Sequence, residues 1–393
     1  MPGVPLNKRI CFISSRSGFI TSANTFLLDW ANGRLIHQLS LAYPGKFSVA
    51  VFSAPSKQRN QDFEIKVNNV YPLPFPFSYI GGLRNSLRIF SVLKKIEREN
   101  DLLIVQLPFI GFLSLFFIKK PTVYHLCANV LTASVNPFKY KGLKLLLSKS
   151  FANIMHWCFL LIFKRDRTKV ITNGSELAEL YGQFSPTLAV SSSILESEII
   201  QDHQVLKRKD EDVFNLLFIG RPSKEKGFHT LINAFLKLVK EGSKISLTLM
   251  GVSKVSLAHI IDFKIPEKQL ELITFYDFVS WGDEFKSIVR SSHALAMCSV
   301  SEGTPRVLIE SRALGCPVIA TRVGGIPATI EDGVSGILIK PEDYNELAES
   351  IVRLYDESFR QSLIVNGLRS VKNHTLEKFS NFFLETLNEL QTS

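Results

Sequence analysis

Short apolar runs alternate along the chain with longer segments in which apolar residues recur every three or four positions, which predicts buried strands and amphipathic helices in turn. Arg9–Ile13 reads as a strand, the loop SSRSGFITS follows, Ala23–Leu41 is helical in spacing and Phe47–Phe52 is a second strand. Pro72, Pro74 and Pro76 make Asn68–Gly82 an extended loop, because proline lacks the amide that a central strand or helix needs. A helix at Leu83–Ile96, a strand at Leu102–Gln106, a helix at Ile110–Lys119 and a strand at Thr122–Leu126 come next. A long helical region, Phe138–Lys164, precedes the strand Lys169–Thr172 and the helix Glu176–Phe184.

A polar stretch containing KRKDED then separates this series from another. The second series runs through strands at Phe214–Ile219, Ile245–Met250, Glu271–Phe275, His293–Cys298, Val318–Thr321 and Gly336–Ile339. Its helices are Phe228–Val239, Asp283–Ser291, one from Pro305 to Leu314, Tyr344–Tyr355 and a final one at Glu377–Leu390. Two such series predict an α/β protein of two doubly wound Rossmann-like domains that face each other, with ligands at the carboxyl ends of the strands. The expected boundaries are residues 1–195, a linker at 196–212, a domain at 213–370 and a C-terminal helix at 371–393 that packs back on the N-terminal domain.

At 393 residues and 46% hydrophobic content the chain is globular and long enough for two cores. Five cysteines without a close pair read as reduced core thiols of a cytoplasmic protein. The net charge of +10 is uneven: residues 1–200 hold 23 Lys+Arg against 11 Asp+Glu, and the remainder is slightly acidic. A basic N-terminal half suits an anionic partner there. With no basic and aromatic binding module in view, nucleic acid is excluded in favour of peripheral contact with an anionic membrane. Lysines and arginines flanking the apolar, Trp-containing stretch within Phe138–Lys164 fit an interfacial helix, and equally a core helix with a basic outer face. The start MPGVPLNKRICFISS reads as a first strand rather than a signal peptide. Asp210-Glu211-Asp212 has an acid-x-acid pattern, but in a charged linker it reads as solvated.

The most informative stretch is SVSEGTPRVLIESRALGCPVIATRVGGIPATIEDGVSG. A strand enters a loop, Thr304 caps a helix with Pro305 in its first position, and the amides of Arg306 and Val307 are left for an anion at the positive end of the dipole. Glu302 before the helix and Glu310 on its second turn would repel that anion if aimed at it, so they serve better as acceptors for sugar or ribose hydroxyls. The alternative is a capped surface helix with two solvated glutamates. The loop RPSKEKG adds Arg221 and Lys226, a fork and a point charge suited to a diphosphate.

FIGRPSKEKGFHTLINAF, FVSWGDEFKSIVRSSHALAMCSVSEGTPRVLIESRALGCPVIAT and VGGIPATIEDGVSGILIKPED together resemble retaining glycosyltransferases of the GT-B fold, family 4. The resemblance implies an enzyme that transfers a sugar from a nucleoside diphosphate donor to a saccharide or lipid-linked acceptor, without metal or other cofactor, in surface polysaccharide or glycolipid assembly. It implies that Arg221, Lys226, Gly220 and the amides after Gly303, with Thr304, Arg306 and Val307, hold the diphosphate. Glu310 would take the ribose and Glu302 the transferred sugar; Gly251 and the Phe278-Val279 backbone would border the base. In the N-terminal, acceptor-binding domain Gly18 would approach the diphosphate, although the paired glycines common in the family are missing from its loop. The family's histidine position falls at Cys127 or His125, and His125 is the candidate sugar contact or else a core histidine. The fold also admits a nucleotide-sugar epimerase or an inactive subunit of an assembly complex.

Overall fold

The computed structural model describes residues 8–58, 61, 63–75, 85–135, 141–190, 192–200, 213–254, 257 and 265–392. Asp210–Asp212, most of the expected linker, the end of the proline-rich stretch and the start of the Phe138–Lys164 region lie outside the described residues. The chain divides into two compact units, Met1–Ser193 with Leu376–Ser393, and Ile194–Thr375. Residues 196–200, expected in a linker, belong to the second unit: the Ile200 amide donates to the Ala313 carbonyl and Trp281 Nε1 to Glu198.

In chain order the first unit holds β1 (Arg9–Ile20), β2 (Thr25–Leu28), α1 (Trp30–Ala42), β3 (Lys46–Ser53), β4 (Phe63–Lys66) and β5 (Asn69–Leu73). It continues with α2 (Ser86–Glu99), β6 (Leu102–Leu107), a 3-10 turn at Phe112–Phe117, β7 (Thr122–Leu126), α3 (Val130–Ser134) and α4 (Gly142–Phe163). β8 (Thr168–Asn173), α5 (Ser175–Leu180) and β9 (Thr187–Ala189) follow. The parallel strands lie in the order β5-β3-β1-β6-β7-β8-β9, and β2 and β4 extend the far end of β1 antiparallel. Ile10–Ser14 of β1, and β3, β6 and β7 almost throughout, are buried, as continuous apolar runs with both faces covered must be.

Three expectations change here. The loop SSRSGFITS is a continuation of β1 beyond a bulge between Ile13 and Ser17, and the helix expected from Ala23 begins only at Trp30, where the Asp29 carboxylate caps it. Asn69–Leu73 is a strand despite Pro72, because among the described residues β5 is an edge strand that pairs with β3 alone. Ile110–Lys119 forms a short 3-10 turn rather than an α-helix.

The second unit holds β10 (Phe214–Ile219), α6 (Phe228–Lys240), β11 (Ile245–Met250), α7 (Glu267–Leu270), β12 (Ile273–Tyr276), α8 (Asp283–Ser291) and β13 (Ala294–Met297). α9 (Arg306–Ala313), β14 (Val318–Thr321), β15 (Ile337–Ile339), α10 (Tyr344–Arg353) and α11 (Glu357–Val371) complete it. Its sheet is wholly parallel, in the order β12-β11-β10-β13-β14-β15. Strand order therefore reverses between β10 and β13, and the loops leaving those two strands share the switch point where doubly wound sheets bind ligands. The last helix, α12 (Leu376–Thr392), belongs to the first unit and packs on β7, β8, β9 and α1.

Candidate functional site

Two loops meet at the switch point because glycines remove the side chains that would keep them apart. Gly227 ends the loop after β10 with φ +62°, and a Cβ there would stand 1.8 Å from the Cys298 carbonyl oxygen. The Val300 amide donates to the Glu225 carbonyl at 2.9 Å, joining the loop after β13 to the same turn. Gly324 and Gly325, after β14, press on the second loop from its other side. A Cβ on Gly324 (φ +52°) would meet the Glu302 carbonyl oxygen at 1.7 Å, and the Gly325 amide donates to the Gly303 carbonyl at 2.9 Å. The left-handed backbone and the close approach both require glycine at positions 227 and 324.

This packing sets Lys226 beside Glu302. Their ammonium and carboxylate groups lie 2.5 Å apart, with side chains 30% and 12% exposed. Ser299 Oγ donates to the same carboxylate oxygen at 2.7 Å, and the Ser299 carbonyl accepts from Thr321 Oγ1. The sequence assigns Lys226 to phosphate and Glu302 to sugar; in the structure the two side chains pair with each other, and Ser299 joins them as a partner that the sequence does not reveal. Only a fold could show this, since Lys226 and Glu302 lie 76 residues apart.

α9 begins at Arg306 with Pro305 at the cap position, so the start is one residue later than expected and Thr304 is not the cap. Among the described residues no side chain caps this helix, so the amides of Arg306 and Val307 stand at the positive end of its dipole, a setting that favours an anion. Thr304 is buried, and its hydroxyl has no hydrogen-bond partner among the described residues. α6 likewise begins without a side-chain cap, directly after Gly227 and Lys226, so two helix N-termini open toward the same strand ends. Arg221 is exposed in the loop after β10, and Glu310 is half-buried on the second turn of α9. Buried Arg312 holds that helix in place, donating to the Thr329 carbonyl at 2.6 Å and to Ser370 Oγ at 2.8 Å.

Gly220 and Gly251 end the neighbouring strands β10 and β11. Their backbones touch: the Gly220 amide donates to the Met250 carbonyl at 2.9 Å, and a Cβ on Gly251 would lie 2.8 Å from the Gly220 oxygen. The Gly251 amide donates to the Tyr276 carbonyl at the end of β12, just before exposed Phe278 and half-buried Val279. The second unit therefore gathers Gly220, Arg221, Lys226, Gly251, Phe278, Val279, Glu302, Gly303, Thr304, Arg306, Val307 and Glu310 along one edge of its sheet.

The two first-unit candidates are placed differently. Gly18 is a buried residue inside β1, opposite Ser53 of β3, and a Cβ would lie 2.9 Å from the Leu27 carbonyl oxygen. Its lack of a side chain makes room for β2. His125 is 2% exposed on β7, with its ring edge-on to Phe379 and Phe383 of α12 at centroid distances of 5.7 and 4.9 Å. Of the two readings held for it, the core histidine is the one this structure supports. Cys127 is half-buried with its sulfur 3.5 Å from His125 Nδ1, and burial pushes the Cys298 thiol up to about 12.

Residues 213–357 match the family described as Glycosyl transferases group 1. The chain is 24% identical over 371 residues to the capsular polysaccharide biosynthesis glycosyltransferase CapM of Staphylococcus aureus, covering 88% of this chain and 93% of that one. It is 30% identical over 151 residues to the D-inositol 3-phosphate glycosyltransferase of Corynebacterium kroppenstedtii, covering 37% of this chain and 34% of that one. Among solved structures, sucrose-phosphate synthase from Thermosynechococcus elongatus superposes with a TM-score of 0.70 at 16% identity, over 98% of this chain and 99% of that one. Anabaena HepE in complex with UDP and glucose superposes with a TM-score of 0.57 at 20% identity, over 97% and 99%.

Proposed function

We propose that the chain is a glycosyltransferase of the GT-B, group 1 type and that it moves a sugar, with retention at the anomeric carbon, from a nucleoside diphosphate sugar to a saccharide or lipid-linked saccharide. The observation that carries this reading is the Lys226–Glu302–Ser299 cluster, set between two uncapped helix N-termini at the β10/β13 switch point. A diphosphate arriving there competes with Glu302 for Lys226. It takes its remaining donors from Arg221 and from the amides of Arg306 and Val307, while Thr304 Oγ supplies a hydroxyl without another partner. Glu302, freed from Lys226, becomes an acceptor for a sugar hydroxyl, and Glu310 one for the ribose.

The bond from the anomeric carbon to the diphosphate breaks, the acceptor oxygen bonds to the same face of that carbon, and the acceptor proton passes to the departing phosphate oxygen. Charge growing on the leaving group is met by preorganised donors, each worth roughly 10²–10³ in rate. Cations of the chain supply this neutralisation, so turnover continues in chelator. Likeness to CapM and to the UDP complex of HepE supports a role in polysaccharide or glycolipid assembly with a uridine diphosphate donor. The five unpaired cysteines support a cytoplasmic place.

A thermal-shift panel of uridine, guanosine and adenosine diphosphate sugars tests the donor, because a ligand that binds the native state raises its melting temperature. Proton NMR of the product then reads the anomeric configuration. Conversion of donor without acceptor would identify an epimerase instead, and an inverted product would refute retention.

A further inference from the structure

α4 is apolar on two faces, and the fold covers only one of them. Ala152, Met155, Cys158, Phe159, Ile162 and Phe163 are buried in the core of the first unit. The opposite stripe of Leu143, Leu146, Leu147, Ile154 and Trp157 follows helical spacing and is 72%, 60%, 61%, 55% and 60% exposed. A helix that is apolar all round is ordinarily enclosed. Large exposed apolar surface of this kind marks an interaction site. Neighbouring elements enlarge it, since Leu113 and Phe117 on the 3-10 turn packed against α4, and Val135 at the end of α3, are exposed as well.

Charge decides the occupant. Residues 102–165 contain no aspartate or glutamate and eight lysines and arginines. At 100° per residue Lys144 and Lys149 fall on either side of the apolar stripe, Lys141 and Lys164 stand at its two ends, and all four are exposed. A second copy of the chain, related by a two-fold axis, would bring the same lysines together without a carboxylate to meet them. Anionic head groups meet them directly.

We infer that α4 docks the protein on a bilayer that carries anionic lipid, its outer stripe lying in the head-group and acyl boundary while its inner face stays on the core. The 22-residue helix is long enough, at about 33 Å, to cross a bilayer. Crossing would strip its inner face from the sheet, so the helix lies on the membrane. This inference does not rest on the donor chemistry, and vesicle binding and sugar transfer fail separately.

Sedimentation of the full chain with phosphatidylcholine vesicles, with and without phosphatidylglycerol, tests it. Binding is expected only with the anionic lipid, with a blue shift of tryptophan emission that Trp157→Phe removes. Lys144→Gln with Lys149→Gln should weaken binding about 25-fold, at about fivefold per lysine near the surface. Leu147→Glu with Ile154→Glu should abolish it. These side chains are exposed, and an unchanged melting temperature verifies that each variant folds. Failure to sediment with anionic vesicles, binding indifferent to both double variants, or a solution dimer that Leu147→Glu with Ile154→Glu disperses, without vesicle binding, would each overturn the inference.

Discussion

Replacing Lys226 with alanine separates two uses of one ammonium group. In the free protein it neutralises Glu302, whose side chain is 12% exposed and which also accepts from Ser299 Oγ. Breaking a fully buried pair costs about 3–5 kcal/mol. Because the Lys226 side chain is 30% exposed and Ser299 still donates, screening and residual hydrogen bonding reduce this to about 1–2 kcal/mol. During transfer the same ammonium faces the leaving diphosphate, where its loss should lower turnover roughly 10²–10³-fold. Adding Glu302→Gln to Lys226→Ala removes the stranded charge, so the double variant should regain the melting temperature while remaining slow. Urea denaturation reads the first effect, and chromatographic assay of nucleoside diphosphate release reads the second. Turnover of Lys226→Ala within twofold of the parent, or a double variant that recovers both properties, would refute the assignment to phosphate.

Gly227→Ala should lower stability by at least about 2 kcal/mol and abolish donor binding, since its Cβ would stand 1.8 Å from the Cys298 oxygen on a left-handed backbone; calorimetry and equilibrium dialysis measure the two effects. Deleting residues 376–393 removes the buried side chains of Leu376, Phe379, Phe383, Leu387 and Leu390, worth about 8–15 kcal/mol at 1.5–3 kcal/mol each, and should leave the first unit unfolded by circular dichroism and proteolysis. Arg9 holds the Asp101 carboxyl at about 2, below its ordinary 3.8, so this ion pair stabilises the fold above about pH 4 and loses its contribution as pH falls toward 2. Asp101→Asn should therefore cost about 1 kcal/mol at neutral pH, discounted for exposure, and nothing near pH 2 in urea titrations.

The second unit was legible in its sequence because buried parallel strands are unbroken apolar runs, and each run from Phe214 to Ile339 ends near a turn signal. Where alternation and helical spacing overlap, periodicity failed: Thr25–Leu28 was absorbed into the helix that follows it, and the strand pairing that claims these residues comes from Phe63–Lys66, far along the chain. Pro72 excludes a central strand and so suggests an extended loop, although an edge strand tolerates it. Within the site, residue types were readable from the loops leaving β10 and β13. Their mutual contacts were not, since Glu302, which Ser299 also bonds, reaches Lys226 only through the close approach at Gly227. His125 shows the same limit, for what buries it arrives with Phe379 and Phe383, about 250 positions later.

α12 has a consequence for how the protein is made. The first unit is interrupted in sequence by the whole of residues 194–375, and the helix that covers β7 to β9 emerges only after them. At roughly 5–20 residues per second, the groove over His125 stays open on the ribosome for about 10–40 s while the second unit can already close. During that wait a sheet rich in apolar residues is presented without its last layer. Its safe completion depends on translation speed and on chaperone cover as much as on the stability of the finished fold.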